Sequence, residues 1–130
     1  MGFFDGVFKN KPQQNNANTS KYKELKSLEE LNDIDEISFS KSVVIFKHST
    51  RCSISRFALK RFESDFDFDE EKIQWYLLDL LNHREISNEI AHRYQVVHQS
   101  PQIVVIKNRK AVFVATHEDI DADYLKQWAV

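Results

Sequence analysis

The sequence predicts an α/β fold in which a mixed β-sheet carries helices on both faces. Apolar runs of strand length alternate with segments of helical apolar spacing along residues 22–94. Two further strand-like runs near the C-terminus are joined by a link so short that only antiparallel pairing is feasible. The chain has 130 residues, 42% of them hydrophobic, so it can bury a core without disulfides or metals.

The first half of the domain is expected to run strand, helix, strand, helix. A short strand at 22–25 precedes a helix whose start is marked by Ser27 and Glu30, the capping-box pattern. The continuous apolar run at 42–47 is typical of a strand that is covered on both faces. A second helix is expected from about Cys52 to the charged turn "ESDFDFDEE". Its apolar residues recur at helical spacing: Ile54, Phe57, Ala58, Leu59 and Phe62.

The second half completes the order β-α-β-α-β-α-β-β-α. A strand at 72–80 precedes a helix at 84–94, and "PQIVVIK" and "AVFVAT" form the terminal hairpin. The alternating units predict parallel strands through right-handed crossovers, and the hairpin adds an antiparallel pair. A final helix is expected after residue 116, with one apolar side made of Ile120, Tyr124, Leu125 and Trp128.

The chain is expected to divide into a flexible N-terminal tail at 1–19 and a folded domain at 20–130. The tail holds both glycines and a Gln/Asn-rich tract after Pro12, a composition that buries too little apolar surface to order itself. One alternative stays open, a short amphipathic anchor for a membrane surface or a partner. It would use the apolar residues Phe3, Phe4, Val7 and Phe8.

Charge and hydropathy exclude several classes of partner. The formal net charge is -2, with both signs interleaved, so the sequence offers no basic surface for nucleic acid. No apolar run approaches the ~20 residues of a membrane span. We therefore expect a cytoplasmic protein, in which the single cysteine, Cys52, is a free thiol. The sequence does not indicate an oligomeric state.

The position of Cys52 favours reactivity. It follows a buried strand and a short loop, and in parallel sheets ligands and chemistry lie beyond the carboxyl ends of the strands. If the second helix begins here, its unpaired N–H groups and dipole favour the thiolate, and Arg51 adds a neighbouring cation. The alternative is a free cysteine that packs as a small hydrophobic residue.

Pro101 is the only proline of the predicted domain and opens the first strand of the hairpin. With a cysteine at a helix start and this element order, the chain resembles the thioredoxin superfamily over residues 20–130. Cys52-Ser53-Ile54-Ser55 occupies the place of the superfamily's C-x-x-C motif. The resemblance implies that Pro101 is cis and packs against the thiol, and that the backbone of Ser100 pairs with bound substrate.

The stretch "FKHSTRCSIS" resembles the monothiol bacilliredoxin family more narrowly. In that family a K-H-S-T-x-C-P-I-S stretch holds the active cysteine, and this chain departs from it at Ser53, where Pro is more usual. The resemblance implies attack by Cys52 on a mixed disulfide between bacillithiol and a cytosolic protein. Thr50, Arg51 and Ser55 are the candidate thiolate-stabilising residues.

Ser55 stands in the position of a resolving cysteine, so a mixed disulfide on Cys52 must be resolved by a second molecule. Thioredoxins also carry a buried carboxylate six residues before the active cysteine, where this chain has Phe46. The predicted chemistry is monothiol exchange. Its partners are a low-molecular-weight thiol as co-substrate and S-thiolated proteins, with no resident cofactor.

Several alternative interpretations of the sequence stay open. His48 and His98 flank the two predicted active segments, so either is a candidate contact of the thiolate. The five histidines lack the spacing of a zinc site, so no metal is expected. Cluster binding is a minor alternative, because the C-G-F-S motif of iron–sulfur glutaredoxins is absent. The main alternative is a non-catalytic thioredoxin-like binding or adaptor module with a vestigial cysteine.

Overall fold

The structure, a computed structural model, describes residues 20–130. The strands are β1 (Lys23–Glu24), β2 (Ser42–His48), β3 (Ile73–Asp79), β4 (Gln102–Lys107) and β5 (Lys110–Thr116). The helices are α1 (Leu28–Ile37), α2 (Ser53–Asp65) and α3 (Arg84–Arg93), followed by two 3₁₀ helices, His117–Asp119 and Ala122–Trp128. This element order is the predicted one, with boundaries shifted by one or two residues.

The predicted tail at 1–19 lies outside the described residues, and so does the candidate anchor formed by Phe3, Phe4, Val7 and Phe8. Within residues 20–130, no helix combines the length and the apolar character that crossing a membrane requires.

The five strands form one mixed sheet in the order β1-β3-β2-β4-β5. β1, β3 and β2 are parallel, whereas β4 is antiparallel to both β2 and β5. The alternation of strands and helices predicted parallel strands up to the hairpin and an antiparallel pair within it, and both are confirmed. β4 also runs antiparallel to β2, which was not predicted. The reason is that residues 94–101 lead the chain back to the carboxyl end of β2, where Gln102 pairs with Lys47.

Hydrophobic clusters cover both faces of the sheet. Because side chains alternate along a strand, β2 contributes Val43 and Ile45 to one cluster and Val44 and Phe46 to the other. The first cluster packs against α1 and α3, and the second against α2 and the C-terminal 3₁₀ helix. All residues of β2 are buried, which confirms the prediction of a strand covered on both faces.

The start of α1 has the capping box that the sequence indicates. The Glu30 amide donates to Ser27 Oγ at 3.3 Å, and the Ser27 amide donates to Glu30 Oε1 at 3.1 Å. These reciprocal bonds satisfy N–H groups that have no partner inside the helix. The helix can therefore bury Leu31 and Ile34 against the sheet.

The core-facing side of α2 differs from the expected one. Ile54 is 59% exposed and Phe57 is 77% exposed, so two of the residues at helical apolar spacing lie outside the core. The rotation of the helix is set by Phe62, whose ring packs against Trp75 with centroids 4.9 Å apart. Phe57 precedes Phe62 by five residues, which places it about 140° around the helix. The buried positions are Ser55, Ala58 and Phe62.

The C-terminal segment is helical, but it forms 3₁₀ helices rather than the expected α-helix. Ala122 and Leu125 are buried, and Trp128 packs partly against the same cluster. These three residues recur every third position, so a helix of three residues per turn puts them all on one side. Tyr124, expected on the apolar side, is 50% exposed for the same reason.

Candidate functional site

Cys52 lies at the junction of β2 and α2. It is the N-cap residue of α2, with an extended backbone, and its thiol is free and partly exposed. Its own N–H donates to the Ser49 carbonyl at 3.2 Å, and its carbonyl accepts from the Arg56 N–H at 3.0 Å. Both the N–H and the carbonyl of Cys52 are therefore hydrogen-bonded. At this position the side chain lies at the positive end of the helix dipole, which favours a thiolate.

Two of the candidate thiolate-stabilising residues, Thr50 and Arg51, are exposed in the loop before the helix. Sequence reasoning missed a residue of α2 that contacts this loop, Arg56. Its Nη1 donates to the Thr50 carbonyl at 3.2 Å, so a cation of the first helical turn lies over the loop. The only sequence signal for this contact is the i, i+4 spacing from Cys52.

The third candidate, Ser55, is fully buried beneath the loop. Its Oγ accepts a hydrogen bond from the Ser49 N–H at 3.0 Å and lies 2.7 Å from His48 Nδ1. Ser55 and His48, which sequence reasoning named separately, are therefore joined in one buried contact. A direct effect of Ser55 on the thiolate stays a prediction.

His48 is buried on the α2 side of the sheet. Burial lowers the pKa of this imidazole, and the nearby Arg56 cation lowers it further. Asp79, its partner on β3, acts in the opposite direction. The balance favours a neutral ring at pH 7, so one ring nitrogen is a donor and the other an acceptor.

His98 lies on the opposite side of the sheet. Its Nδ1 is 2.8 Å from Lys47 Nζ and 3.3 Å from Ser87 Oγ. Burial and the Lys47 charge lower the pKa of His98, with a further contribution from Arg84. The hydrogen bonds of both candidate histidines thus go to groups other than Cys52.

Lys47 lies next to His48 at the end of β2, and sequence reasoning missed its environment. It is fully buried, and burial lowers the pKa of its amine to about 8. The only signal was a lysine near the end of the apolar run "SVVIFK". Through His98, this amine links β2 to the segment that precedes β4.

Ser100 and Pro101 lie at the same edge of the sheet as Cys52. Gln102 pairs with Lys47, so the chain enters β4 where β2 ends. The Ser100–Pro101 peptide bond is cis, the isomer expected above, and Pro101 is buried. Ser100 Oγ is buried and has no hydrogen-bond partner in the described part of the chain. A substrate role for either residue stays a prediction.

Metal-binding side chains do not gather at this site. Across residues 20–130, no three His, Cys, Asp or Glu side chains lie together in a group that could hold a metal ion. The chemistry that the described residues offer is that of the thiol, the helix N-terminus and the bonds that hold the loop.

Comparison with solved structures shows the same fold. A structure described as a candidate oxidoreductase with a thioredoxin fold is 30% identical, with a TM-score of 0.69, over 82% of this chain and 92% of that chain. Thioredoxin from Malassezia sympodialis is 19% identical, with a TM-score of 0.66, over 84% and 91% of the two chains. Thioredoxin from Fasciola hepatica is 18% identical, with a TM-score of 0.61, over 81% and 93%.

The family comparison is more specific than the fold. The model of the family described as "Monothiol bacilliredoxin BrxC" matches residues 23–125, which include Cys52, Ser55 and Pro101. A thiol redox function follows from this match together with the thioredoxin fold. The chain belongs to the monothiol bacilliredoxin family, within the thioredoxin fold.

Proposed function

We propose that this protein removes bacillithiol, or a similar low-molecular-weight thiol, from mixed disulfides on cytosolic proteins by monothiol exchange at Cys52. The observation that carries the proposal is a partly exposed cysteine at the N-cap of α2, with a buried serine at position 55. This arrangement provides one thiolate that can attack a disulfide. It provides no second thiol that could resolve the mixed disulfide formed on Cys52.

The exchange balances in two steps. The Cys52 thiolate attacks the bacillithiol sulfur of the mixed disulfide, a new S–S bond forms, and the protein thiolate leaves and takes a proton from solvent. A second thiol molecule then attacks the disulfide on Cys52. The attacking thiol bonds to the bacillithiol sulfur, and the two leave together as a low-molecular-weight disulfide. Cys52 is the leaving group and returns to its reduced form. No resident cofactor takes part in either step.

The neighbouring residues support the reaction in different ways. Arg51, Thr50 and Ser55 belong to the loop and first turn that hold Cys52 at the positive end of α2, which favours its thiolate. Ser100 and Pro101 form the facing segment, where an extended substrate backbone would pair with Ser100. His48 contacts Ser55 in the first of these segments, and His98, which precedes Ser100, contacts Lys47. Both histidines therefore act on the segments and not on the sulfur.

Exposed apolar side chains near Cys52 support a protein as the larger substrate. Ile54 and Phe57 lie in the first two turns of α2, which follows Cys52 directly. Ile54 and Phe57 also line an open groove of about 670 Å³. Large apolar side chains exposed together mark interaction surfaces in soluble proteins. Because the proposed substrates are cytosolic proteins, we propose the cytoplasm as the place where this protein acts.

The test uses a protein with one cysteine, loaded with bacillithiol or, in parallel, with glutathione. We expect the wild-type protein to free the substrate thiol and to gain the mass of one bacillithiol on Cys52. Cys52→Ser should keep the fold and lose the exchange, because a hydroxyl is a far poorer nucleophile near neutral pH. Exchange at the wild-type rate in Cys52→Ser would refute the role of Cys52, and the absence of exchange with both thiols would refute the proposed reaction.

The second candidate is a non-catalytic binding or adaptor module, favoured by the exposure of Ile54 and Phe57. Alkylation of Cys52 by iodoacetamide at a series of pH values separates the two. Fast alkylation well below pH 8 supports exchange, and an inert thiol supports the adaptor.

A further inference from the structure

The hydroxyl of Ser55 is the point at which the Cys52 loop, the end of β2 and the first turn of α2 are joined. Ser55 is fully buried, and its oxygen contacts both the Ser49 N–H, at 3.0 Å, and His48 Nδ1, at 2.7 Å. The small size of serine alone would not explain why its buried hydroxyl has two polar partners.

The direction of the two hydrogen bonds follows from the number of protons available. The Ser49 N–H can only donate, so the Ser55 oxygen accepts from it. The hydroxyl proton then needs an acceptor, because a fully buried hydroxyl rarely lacks a partner. In the part of the chain that the structure describes, His48 Nδ1 is the other atom within reach. Ser55 therefore donates to a neutral His48 whose proton is on Nε2.

The surroundings of His48 agree with this assignment. Burial favours the neutral ring, Arg56 on α2 acts in the same direction, and Asp79 on β3 opposes them. The edge-on ring of Phe46, with centroids 6.3 Å apart, closes another side of the imidazole.

A series of backbone hydrogen bonds connects this contact to the reactive residue. The Ser49 N–H is held by Ser55, and the carbonyl of the same residue accepts from the Cys52 N–H at 3.2 Å. The Cys52 carbonyl in turn accepts from the Arg56 N–H at 3.0 Å. Arg56 Nη1 also donates to the Thr50 carbonyl, so the loop is closed on α2 at three points, and removing the Ser55 hydroxyl would release one of them.

We propose that Ser55 and His48 are positioning residues for Cys52, which keep the loop of residues 49–52 closed on α2 and the cysteine at its N-cap. The inference rests on the proposed function, since it assigns further residues to the same thiol site. When the loop opens, the sulfur loses a fixed relation to the helix N-terminus, and the thiolate loses that stabilisation.

The test measures alkylation of Cys52 by iodoacetamide against pH, with urea unfolding of each variant. For Ser55→Ala we expect the pH midpoint of alkylation to rise and the rate at pH 7 to fall about fivefold, the usual effect of one hydrogen bond. His48→Leu should behave in the same way. His48→Asn should keep the wild-type profile, because its side-chain oxygen replaces Nδ1 as an acceptor that does not titrate.

Ser87→Ala is the matched control, because Ser87 is also buried in a helix and contacts a histidine Nδ1, but on the other side of the sheet. We expect it to lose stability without moving the alkylation profile. A wild-type profile in Ser55→Ala, or an equal shift in His48→Asn and His48→Leu, would overturn the proposal. If Ser55→Ala does not fold, the two His48 variants decide. A small reagent keeps this test valid even if the protein does not accept bacillithiol.

Discussion

A single sulfur at residue 52 determines which exchange reactions are open to the chain. A dithiol protein resolves its mixed disulfide with a second cysteine three residues on, whereas this chain has the buried Ser55 there. The hydroxyl cannot form a disulfide, but it is a better hydrogen-bond donor than a thiol. Ser55 therefore cannot resolve a mixed disulfide, and its hydrogen bonds instead hold the loop before α2.

Ser55→Cys should convert the protein into one that resolves its own mixed disulfide. Residues 52 and 55 are three apart at a helix start, so their side chains lie close enough for a disulfide. After capturing a thiol on Cys52, the variant should release it without a second molecule, as mass spectrometry would show. Ser55→Ala is the control and should keep the adduct until a thiol is added. An adduct that persists on the Ser55→Cys protein would contradict the prediction.

Sequence reasoning at the scale of residues located the reactive groups but not the polar contacts beneath them. Cys52, Ser55 and Pro101 stand out because each is rare or occurs in a recognisable motif. Lys47 belongs to the K-H-S-T stretch, but its burial and the loop contact of Arg56 were not predicted, since a lysine or arginine near a loop is usually solvated. Their contacts depend on how β2 and α2 pack, which a linear pattern does not contain.

At the scale of elements, α1 offers the clearest link between sequence and stability. Replacing Ser27 by Ala removes the cap of the Glu30 N–H and one half of the capping box. We expect a loss of about 1 kcal/mol in the free energy of unfolding, measured with urea and tryptophan fluorescence. Ser64→Ala, an exposed serine on α2, should change it by less than about 0.5 kcal/mol. Equal effects of the two substitutions would exclude a special role for the cap.

α2 shows why apolar spacing predicted a helix but not its buried face. The pattern counts Ile54 and Phe57 as core candidates, although the core side of the helix includes the polar Ser55. A serine that is buried for its hydrogen bonds is invisible to a hydrophobic pattern, and an apolar residue exposed for binding is misleading in it. Within α2 the errors therefore fall in the turns next to the candidate site, whereas Phe62, farther along the helix, is buried.

At the scale of the whole molecule, the described residues, 20–130, contain a five-stranded sheet, two hydrophobic clusters and the thiol site. We therefore predict that a protein beginning at Ser20 keeps the exchange rate and the stability of the full chain. The comparison needs both proteins in the exchange and urea-unfolding assays. A truncated protein that folds but exchanges more slowly would show that residues 1–19 contribute to the site.

Several groups whose pKa differs between the folded and the unfolded chain link the stability of the whole molecule to pH. Burial lowers the pKa of His48 and His98, so in the unfolded chain both bind protons more readily. Stability should therefore fall as the pH drops below about 6.5, where unfolded histidines become charged. Burial and a hydrogen bond to Asp35 raise the pKa of Tyr94, so stability should also fall above about pH 10.

Between these limits, Lys47 should make the protein more stable as the pH rises. Its pKa is about 8 in the folded chain and 10.5 when unperturbed, so in this window the unfolded chain binds the extra proton. From pH 7.5 to 9.5, we expect the free energy of unfolding to rise by about 2 kcal/mol. Urea titrations in a Cys52→Ser background, where no thiol titrates, would measure this rise. Lys47→Met in the same background should flatten it, because the buried amine is gone while a side chain of similar length remains. A rise of the same size with methionine at position 47 would show that another group is responsible.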